Sequence, residues 1–196
     1  MTYDQEFFRL YRDYLREPVV RENHARAFEC FRALAGGREL TVLDFGCGLG
    51  EYRRFGSYSR YVGVDREDTG GVSGLIQADY TTLDFLPRLP CTPNAFVSLF
   101  SVECCMPPEA RYALYEKIFA ALPGLDVGMA GGFFYERRRE LPKVSEAGGL
   151  VSYQSIEDPL ACLSQTFLEL RLAMRTPSAL FGDDVVEVWK FFKRRA

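Results

Sequence analysis

The sequence has few of the histidine and cysteine patterns that are typical of metal-binding and redox proteins, and it lacks the positive charge that is typical of nucleic-acid-binding proteins. It contains one histidine, and its six cysteines form neither a Cys-x-x-Cys pair nor a zinc-binding spacing. We therefore predict no metal site. The cysteines are interpreted as reduced thiols, which favours a cytoplasmic protein. A net charge of −3 gives no overall attraction to nucleic acid or to an anionic membrane surface.

Long apolar runs are also missing. The longest uncharged stretch covers residues 89–102, and its fourteen residues are interrupted by Pro90 and Pro93, so it is too short to span a bilayer. Charges at Asp4, Glu6 and Arg9 argue against a signal peptide. With 196 residues, the chain is expected to form a single domain around one large core.

A glycine-rich loop is the most informative feature that is present. Residues 42–50 read VLDFGCGLG, an apolar strand that meets an acid and then three glycines at alternating positions. Such glycines leave room for a ligand against the main chain. The dinucleotide fingerprint does not fit, because Glu51 or Arg53 stands where its third glycine belongs, and no Gly-Lys-Ser/Thr follows as in phosphate-binding loops.

A second strand ends in an acid nearby. Residues 61–64 are mainly apolar and lead into Asp65, which stands 21 positions after Asp44. Two strands that end in acids, with a glycine loop after the first, suit a ligand that carries a cationic amine and a ribose. This combination favours S-adenosylmethionine (SAM) over a dinucleotide.

Residues 42–50 match motif I of the class I SAM-dependent methyltransferases without a mismatch, and the chain resembles that family over residues 38–135. The resemblance implies SAM as cofactor and S-adenosylhomocysteine (SAH) as product. The implied cofactor-binding residues are Asp44, Gly46, Cys47, Gly48 and Gly50 at the amino-acid end, Asp65 and Arg66 at the ribose, Asp79 and Tyr80 at the adenine, and Phe100, Ser101 and Val102 beside the sulfonium.

The predicted fold is a Rossmann-like, seven-stranded and mostly parallel α/β sheet that ends in an antiparallel strand pair. Residues 1–37 are expected to form a helical lid, 38–135 the cofactor-binding core, and 136–196 a substrate-side loop and the antiparallel strands. Alternating apolar and polar residues over 167–175 predict a strand with one wet face. Only 15 positions separate Gly50 from Asp65, so the helix between them must be short or irregular.

Two residues are candidates for a general base, which methyl transfer needs only if the acceptor must lose a proton early. Glu103 follows the fourth strand, where the family often places groups that face the substrate. His24 lies on the apolar stripe of the second N-terminal helix, and as a base it would be held over the pocket by the N-terminal helices, with Tyr11 and Tyr14 in the same lid. An exposed loop acid and a buried packing histidine are the competing interpretations.

The sequence thus predicts a SAM-dependent methyltransferase that acts on a small or medium-sized acceptor, as a monomer or homodimer. No inserted recognition domain is visible, and nucleic acid and membrane are the less favoured partners. Arg137, Arg138 and Arg139 could instead attract an anionic substrate. The alternatives are a catalytically inactive SAM-binding sensor or subunit, and a protein or RNA methyltransferase.

Overall fold

The computed structural model describes residues 11–67, 73–106, 108–135, 167–175 and 185–194. A helical turn at residues 11–14 precedes the first full helix. The elements are α1 (Pro18–Ala35), β1 (Thr41–Phe45), β2 (Arg60–Asp65), β3 (Leu75–Gln77), β4 (Ala95–Leu99), α2 (Val102–Cys105), α3 (Pro108–Ala121), β5 (Val127–Tyr135), β6 (Phe167–Arg175) and β7 (Val185–Arg194), with short 3₁₀ turns at Glu51–Arg54 and Leu86–Arg88.

All of these strands belong to one seven-stranded sheet with the order β3-β2-β1-β4-β5-β7-β6. Neighbouring strands from β3 to β5 run parallel, and β7 is antiparallel to both β5 and β6. The predicted α/β sheet, mostly parallel with an antiparallel pair at the end, is therefore confirmed. The order reverses between β1 and β4, and open α/β sheets bind ligands at the carboxyl ends of the strands at such a point.

The sheet is covered on both faces. Helix α1 buries Val20, Ala27 and Phe31 in the same apolar cluster as Val42 and Trp189. These helix positions recur at the spacing of one helical face. Pro18 occupies the first turn, where its missing N–H costs nothing, and Gly36 ends the helix in a left-handed conformation.

Helix α3 covers the opposite face. Leu114, Tyr115 and Ile118 pack in a second apolar cluster with Phe96 of β4 and Phe192 of β7. The two clusters hold the parallel strands in register, so the strand ends that carry the predicted cofactor residues have fixed positions.

The connection between β1 and β2 contains no full helix, as the small number of residues between Gly50 and Asp65 predicted. The glycine loop leads into a single 3₁₀ turn at Glu51–Arg54 in place of a full helix. Residues 136–166, with Arg137, Arg138 and Arg139, lie outside the described residues, as do residues 1–10 of the predicted helical lid. In the part of the chain that the structure describes, no helix has both the length and the apolar character needed to cross a membrane.

Candidate functional site

The glycine loop turns sharply at the carboxyl end of β1. Gly46, Gly48 and Gly50 have φ values of 67°, 53° and 72°, in the left-handed region that side chains disfavour. The backbone N–H groups of Gly46 and Cys47 donate to the carbonyl of Val64, at 2.8 and 3.2 Å. The loop is thereby fixed to the end of β2, which brings motif I beside the second acidic strand end.

Gly46 also touches the segment that follows β4. A Cβ atom at Gly46 would lie 2.0 Å from the Oγ of Ser101, which itself donates to the carbonyl of Phe45 at 2.9 Å. The same position is 3.4 Å from a ring carbon of Tyr80. The structure therefore brings together three segments that the sequence assigned separately to the cofactor.

Gly46→Ala is expected to destabilise the fold by about 2–4 kcal/mol, because it combines left-handed backbone strain with overlap against Ser101. Gly36→Ala is the matched control, since Gly36 has φ of 65° but nothing within 4 Å of its Cβ position. That control should lose only about 1–2 kcal/mol. Urea denaturation measures both, and equal losses would show that the contact with Ser101 has no energetic weight.

Asp44 has one carboxylate oxygen available in a buried setting. Tyr61 donates its hydroxyl to Oδ2, and Oδ1 is buried without a hydrogen-bond partner. Burial raises the pKa of Asp44 to about 8, the hydrogen bond from Tyr61 opposes this, and the negative charge of Asp65 adds to it. An unpaired buried oxygen of this kind suits the ammonium group of an amino-acid ligand or a water molecule that bridges to it.

Asp65 is held by two backbone donors. Its Oδ2 accepts the N–H of Gly48 at 2.7 Å, and its Oδ1 accepts the N–H of Glu67 at 3.0 Å. A carboxylate has about four acceptor positions, so two remain for the hydroxyls of a ribose. Arg66 forms an ion pair with Glu67 at 3.3 Å.

Asp79 lies at the same edge but has a local role in this structure. It is exposed, and its Oδ1 accepts the N–H and hydroxyl of Thr81 at 2.8 and 2.6 Å, which caps a turn. The neighbouring Tyr80 is half-buried, with its ring 6.4 Å from that of Phe45. Of these two residues, Tyr80 is therefore the one beside the glycine loop.

Phe100 has φ of 58°, which is uncommon for a residue with a bulky side chain. Such strain tends to occur at functional sites, where surrounding contacts stabilise it. The N–H of Phe100 donates to Gly131 of β5 at 2.7 Å, which fixes the strained segment. Val102 is fully buried in the apolar cluster that α3 forms with Phe96 and Phe192, and it anchors this segment to the core.

Among the described residues, five rings surround Phe100 at centroid distances of 5.4 to 6.5 Å. We call these six residues the Phe100 ring cluster: Tyr11, Tyr14, His24, Tyr52, Phe100 and Trp189. Tyr11 and Phe100 are partly exposed, and the other four are buried. The predicted lid residues Tyr11 and Tyr14 thus lie against the residue that was predicted to flank the sulfonium.

His24 is fully buried in this cluster and pairs with an acid that the sequence analysis missed. Its Nε2 lies 3.2 Å from Oε1 of Glu187, and its Nδ1 has no hydrogen-bond partner. Tyr14 donates to Oε1 of Glu187, and Trp189 donates to Oε2 at 3.2 Å. Burial and the charge of Glu187 raise the pKa of Tyr14, so its hydroxyl stays a donor. A lone acid among apolar residues of a strand was the available signal for Glu187.

Glu103 lies in a buried ion network, and this setting argues against its predicted role as a general base. It is 1% exposed and contacts Nη1 of Arg111 and Nζ of Lys190, each at 2.8 Å, and the hydroxyl of Tyr115 at 2.7 Å. Burial raises the pKa of Glu103, but the charges of Lys190 and Arg111 lower it by more. A carboxylate that is saturated with donors and has a lowered pKa is a poor proton acceptor.

No group of three or more His, Cys, Asp or Glu residues that could hold a metal ion occurs in the described parts of the chain.

Solved structures share this fold at low sequence identity. An N-methyltransferase, NodS, from Bradyrhizobium japonicum WM9 in complex with SAH has 14% identity and a TM-score of 0.59, with 98% of this chain and 100% of that chain covered. Magnesium protoporphyrin IX methyltransferase from Synechocystis PCC 6803 with bound SAH has 16% identity and a TM-score of 0.60, with coverage of 98% and 96%.

A third similar structure is the 1,6-didemethyltoxoflavin N1-methyltransferase of Burkholderia thailandensis, at 16% identity and a TM-score of 0.60, with 97% of this chain and 86% of that chain covered. Neither a protein-family model nor a curated protein sequence matches the chain. The glycine loop, the acidic strand ends and the sheet order thus stand in a fold that this chain shares with methyltransferases.

Proposed function

We propose that this protein binds SAM and transfers its methyl group to a small or medium-sized acceptor. The observation that carries the proposal is the geometry at the ends of β1 and β2. The loop after β1 has three left-handed glycines, and one of them, Gly48, donates its N–H to the carboxylate of Asp65. Asp44, at the end of β1, keeps a buried oxygen without a hydrogen-bond partner. Similar structures of the same fold contain SAH.

The residues present fit the parts of this cofactor. Asp44, with one free buried oxygen, suits the ammonium group, and the glycine backbone leaves room for the amino-acid chain. Asp65 retains acceptor positions for the ribose hydroxyls, and Tyr80 beside the loop offers a ring to the adenine. When bound, SAM supplies an activated methyl group and its leaving group, so the protein mainly contributes alignment and exclusion of water.

The acceptor side is assigned to the Phe100 ring cluster. Tyr11 and Phe100 are its partly exposed members, so an acceptor can reach them. Of the two predicted bases, only His24 retains a nitrogen without a partner, at Nδ1. The toxoflavin enzyme of the same fold binds a small molecule, which supports an acceptor of similar size. Cytoplasmic location and a monomeric or dimeric state stay predictions.

A SAM-binding sensor or subunit without methylation is the second candidate. It is favoured by the saturated Glu103 and by the single 3₁₀ turn after the glycine loop, which offers SAM less helical backbone than a full helix. Transfer of label from radioactive SAM to any acceptor in a metabolite screen would exclude it. Binding of SAH with no transfer across the screen would favour it.

Calorimetric titration with SAH tests the proposal first, with NAD as the matched comparison. We expect micromolar binding of SAH and no binding of NAD, because the glycine spacing lacks the dinucleotide pattern. A folded protein that binds NAD and not SAH would contradict the proposed function while leaving the fold unchanged.

A further inference from the structure

Glu187 stands at the edge of the sheet where the cofactor residues lie. In the β5–β7 register, Trp189 is opposite Gly131 and Glu187 is opposite Phe133. The carbonyl of Gly131 accepts the N–H of Phe100, so Trp189 lies at about the same height in the sheet as Phe100. Glu187 lies two residues, or roughly 7 Å, farther toward the carboxyl ends of the parallel strands. Its carboxylate is therefore beside the Phe100 ring cluster at the height of the binding edge.

The charge of Glu187 has no cationic partner from lysine or arginine in the described ranges. Its donors are the hydroxyl of Tyr14, Nε2 of His24 and the indole N–H of Trp189, and the residue is fully buried. Nδ1 of His24 has no acceptor, so a proton there would be buried without a hydrogen bond. The geometry thus favours a neutral His24 that carries its proton on Nε2.

The aromatic rings around Phe100 make the site more favourable for a positively charged ligand. Faces of aromatic rings attract cations, and a ring environment that excludes water strengthens the field of a nearby carboxylate. His24 links the two parts, because it stacks on Phe100 at 5.4 Å and lies 3.2 Å from Glu187. A ligand against Phe100 and Tyr11 would experience this negative field.

Resting on the proposed function, we propose that Glu187 and the Phe100 ring cluster form a cation-stabilising site at the position of methyl transfer, and that the acceptor is a neutral amine. The amine nitrogen forms the N–C bond with its lone pair, the C–S bonding pair returns to sulfur, and the product leaves as the methylated ammonium ion. The positive charge stays in the field of Glu187 throughout, and no base is required. A carboxylate acceptor would be repelled at the same place.

Sinefungin provides a test that needs no acceptor, because it carries a protonated amine at the position of the transferred methyl group, where SAH has no group and no charge. We expect the unchanged protein to bind sinefungin at least about tenfold more tightly than SAH, because the added positive charge is attracted by the carboxylate of Glu187. In Glu187→Gln the two affinities should agree within about twofold, with SAH binding little changed. Glu116→Gln, on an exposed position of α3, removes one charge elsewhere and should keep the preference.

Equal affinities in the unchanged protein would overturn the inference, and so would a preference that survives in Glu187→Gln. If that variant does not fold, the comparison in the unchanged protein decides alone. Binding of SAH without a preference for sinefungin would refute only this inference. Failure of both ligands to bind would refute the proposed function and this inference together.

The single histidine allows a second, independent measurement. In a protein labelled with ¹⁵N-histidine, the NMR spectrum contains one imidazole, and its nitrogen shifts report the protonation state directly. We expect the nitrogen shifts of the tautomer that carries its proton on Nε2, as the contact with Glu187 indicates. The shifts of an imidazolium would place a positive charge beside Glu187 and would overturn the proposal.

Discussion

Asp65→Ala is expected to weaken SAH binding at least about 100-fold, because the two charge-assisted hydrogen bonds that we propose to the ribose would be lost together. The same change removes the acceptor that holds Gly48 at 2.7 Å, so the glycine loop also loses its tie to β2. The two losses act on the same ligand, one directly and one through the shape of the loop. Calorimetry with SAH measures the effect, and circular dichroism confirms that the variant is folded.

Asp79→Ala is the matched control for this experiment. Asp79 is also an acid after a strand at the same edge, but its carboxylate caps the turn at Thr81. We expect its loss to weaken SAH binding by less than about fivefold, the value of one weak hydrogen bond. A folded Asp65→Ala protein with unchanged affinity would remove the ribose assignment, and a large effect at Asp79 would restore the predicted adenine contact.

Glu103→Ala is expected to lower the free energy of unfolding by about 3–5 kcal/mol, since it leaves the buried cations Arg111 and Lys190 without their partner. Its effect on SAH affinity should be small, because Glu103 points into the ion network. Denaturation can be followed by the fluorescence of Trp189, the only tryptophan. Glu116→Ala, on the exposed side of α3, should change stability by less than about 0.5 kcal/mol.

Comparison of the unchanged protein with Glu103→Ala also predicts how stability depends on pH. The pKa of Glu103 is lowered from 4.5 in the folded protein, so its stabilising contribution is complete above pH 4.5. That contribution is lost as the pH falls through the lower folded value, because the folded state must then take up the proton. The unchanged protein should lose more stability below pH 4.5 than Glu103→Ala does. Parallel curves would show that the carboxylate is not held by its cations.

Much of the sheet could be predicted because its signals are local. The glycine loop, the acids at strand ends and the period of two over residues 167–175 each depend on neighbours in sequence, and β6 has the predicted bounds. The small number of residues between Gly50 and Asp65 also predicted that no long helix would follow the glycine loop. These features need only the conformational limits of glycine and the alternation of a strand.

Long-range partners could not be predicted from the same patterns. Glu103 follows β4 as expected, yet Lys190 reaches it from β7, and no local feature connects the two. Glu187 was missed for the same reason, since its donors include Tyr14 and His24 from the opposite end of the chain. Whether an acid at a strand end faces a ligand or an internal cation is decided by these distant contacts.

The position of β7 has a consequence for folding during synthesis. This strand pairs between β5 and β6, although it follows both in the chain. Until it is made, α1 lacks Trp189, and Tyr14 and His24 lack the acid that binds them. A nascent chain that stops before residue 185 would thus expose the paired edge of β5 and the aromatic side of α1. We therefore expect the chain to be more prone to aggregation before β7 is made than after the sheet is complete.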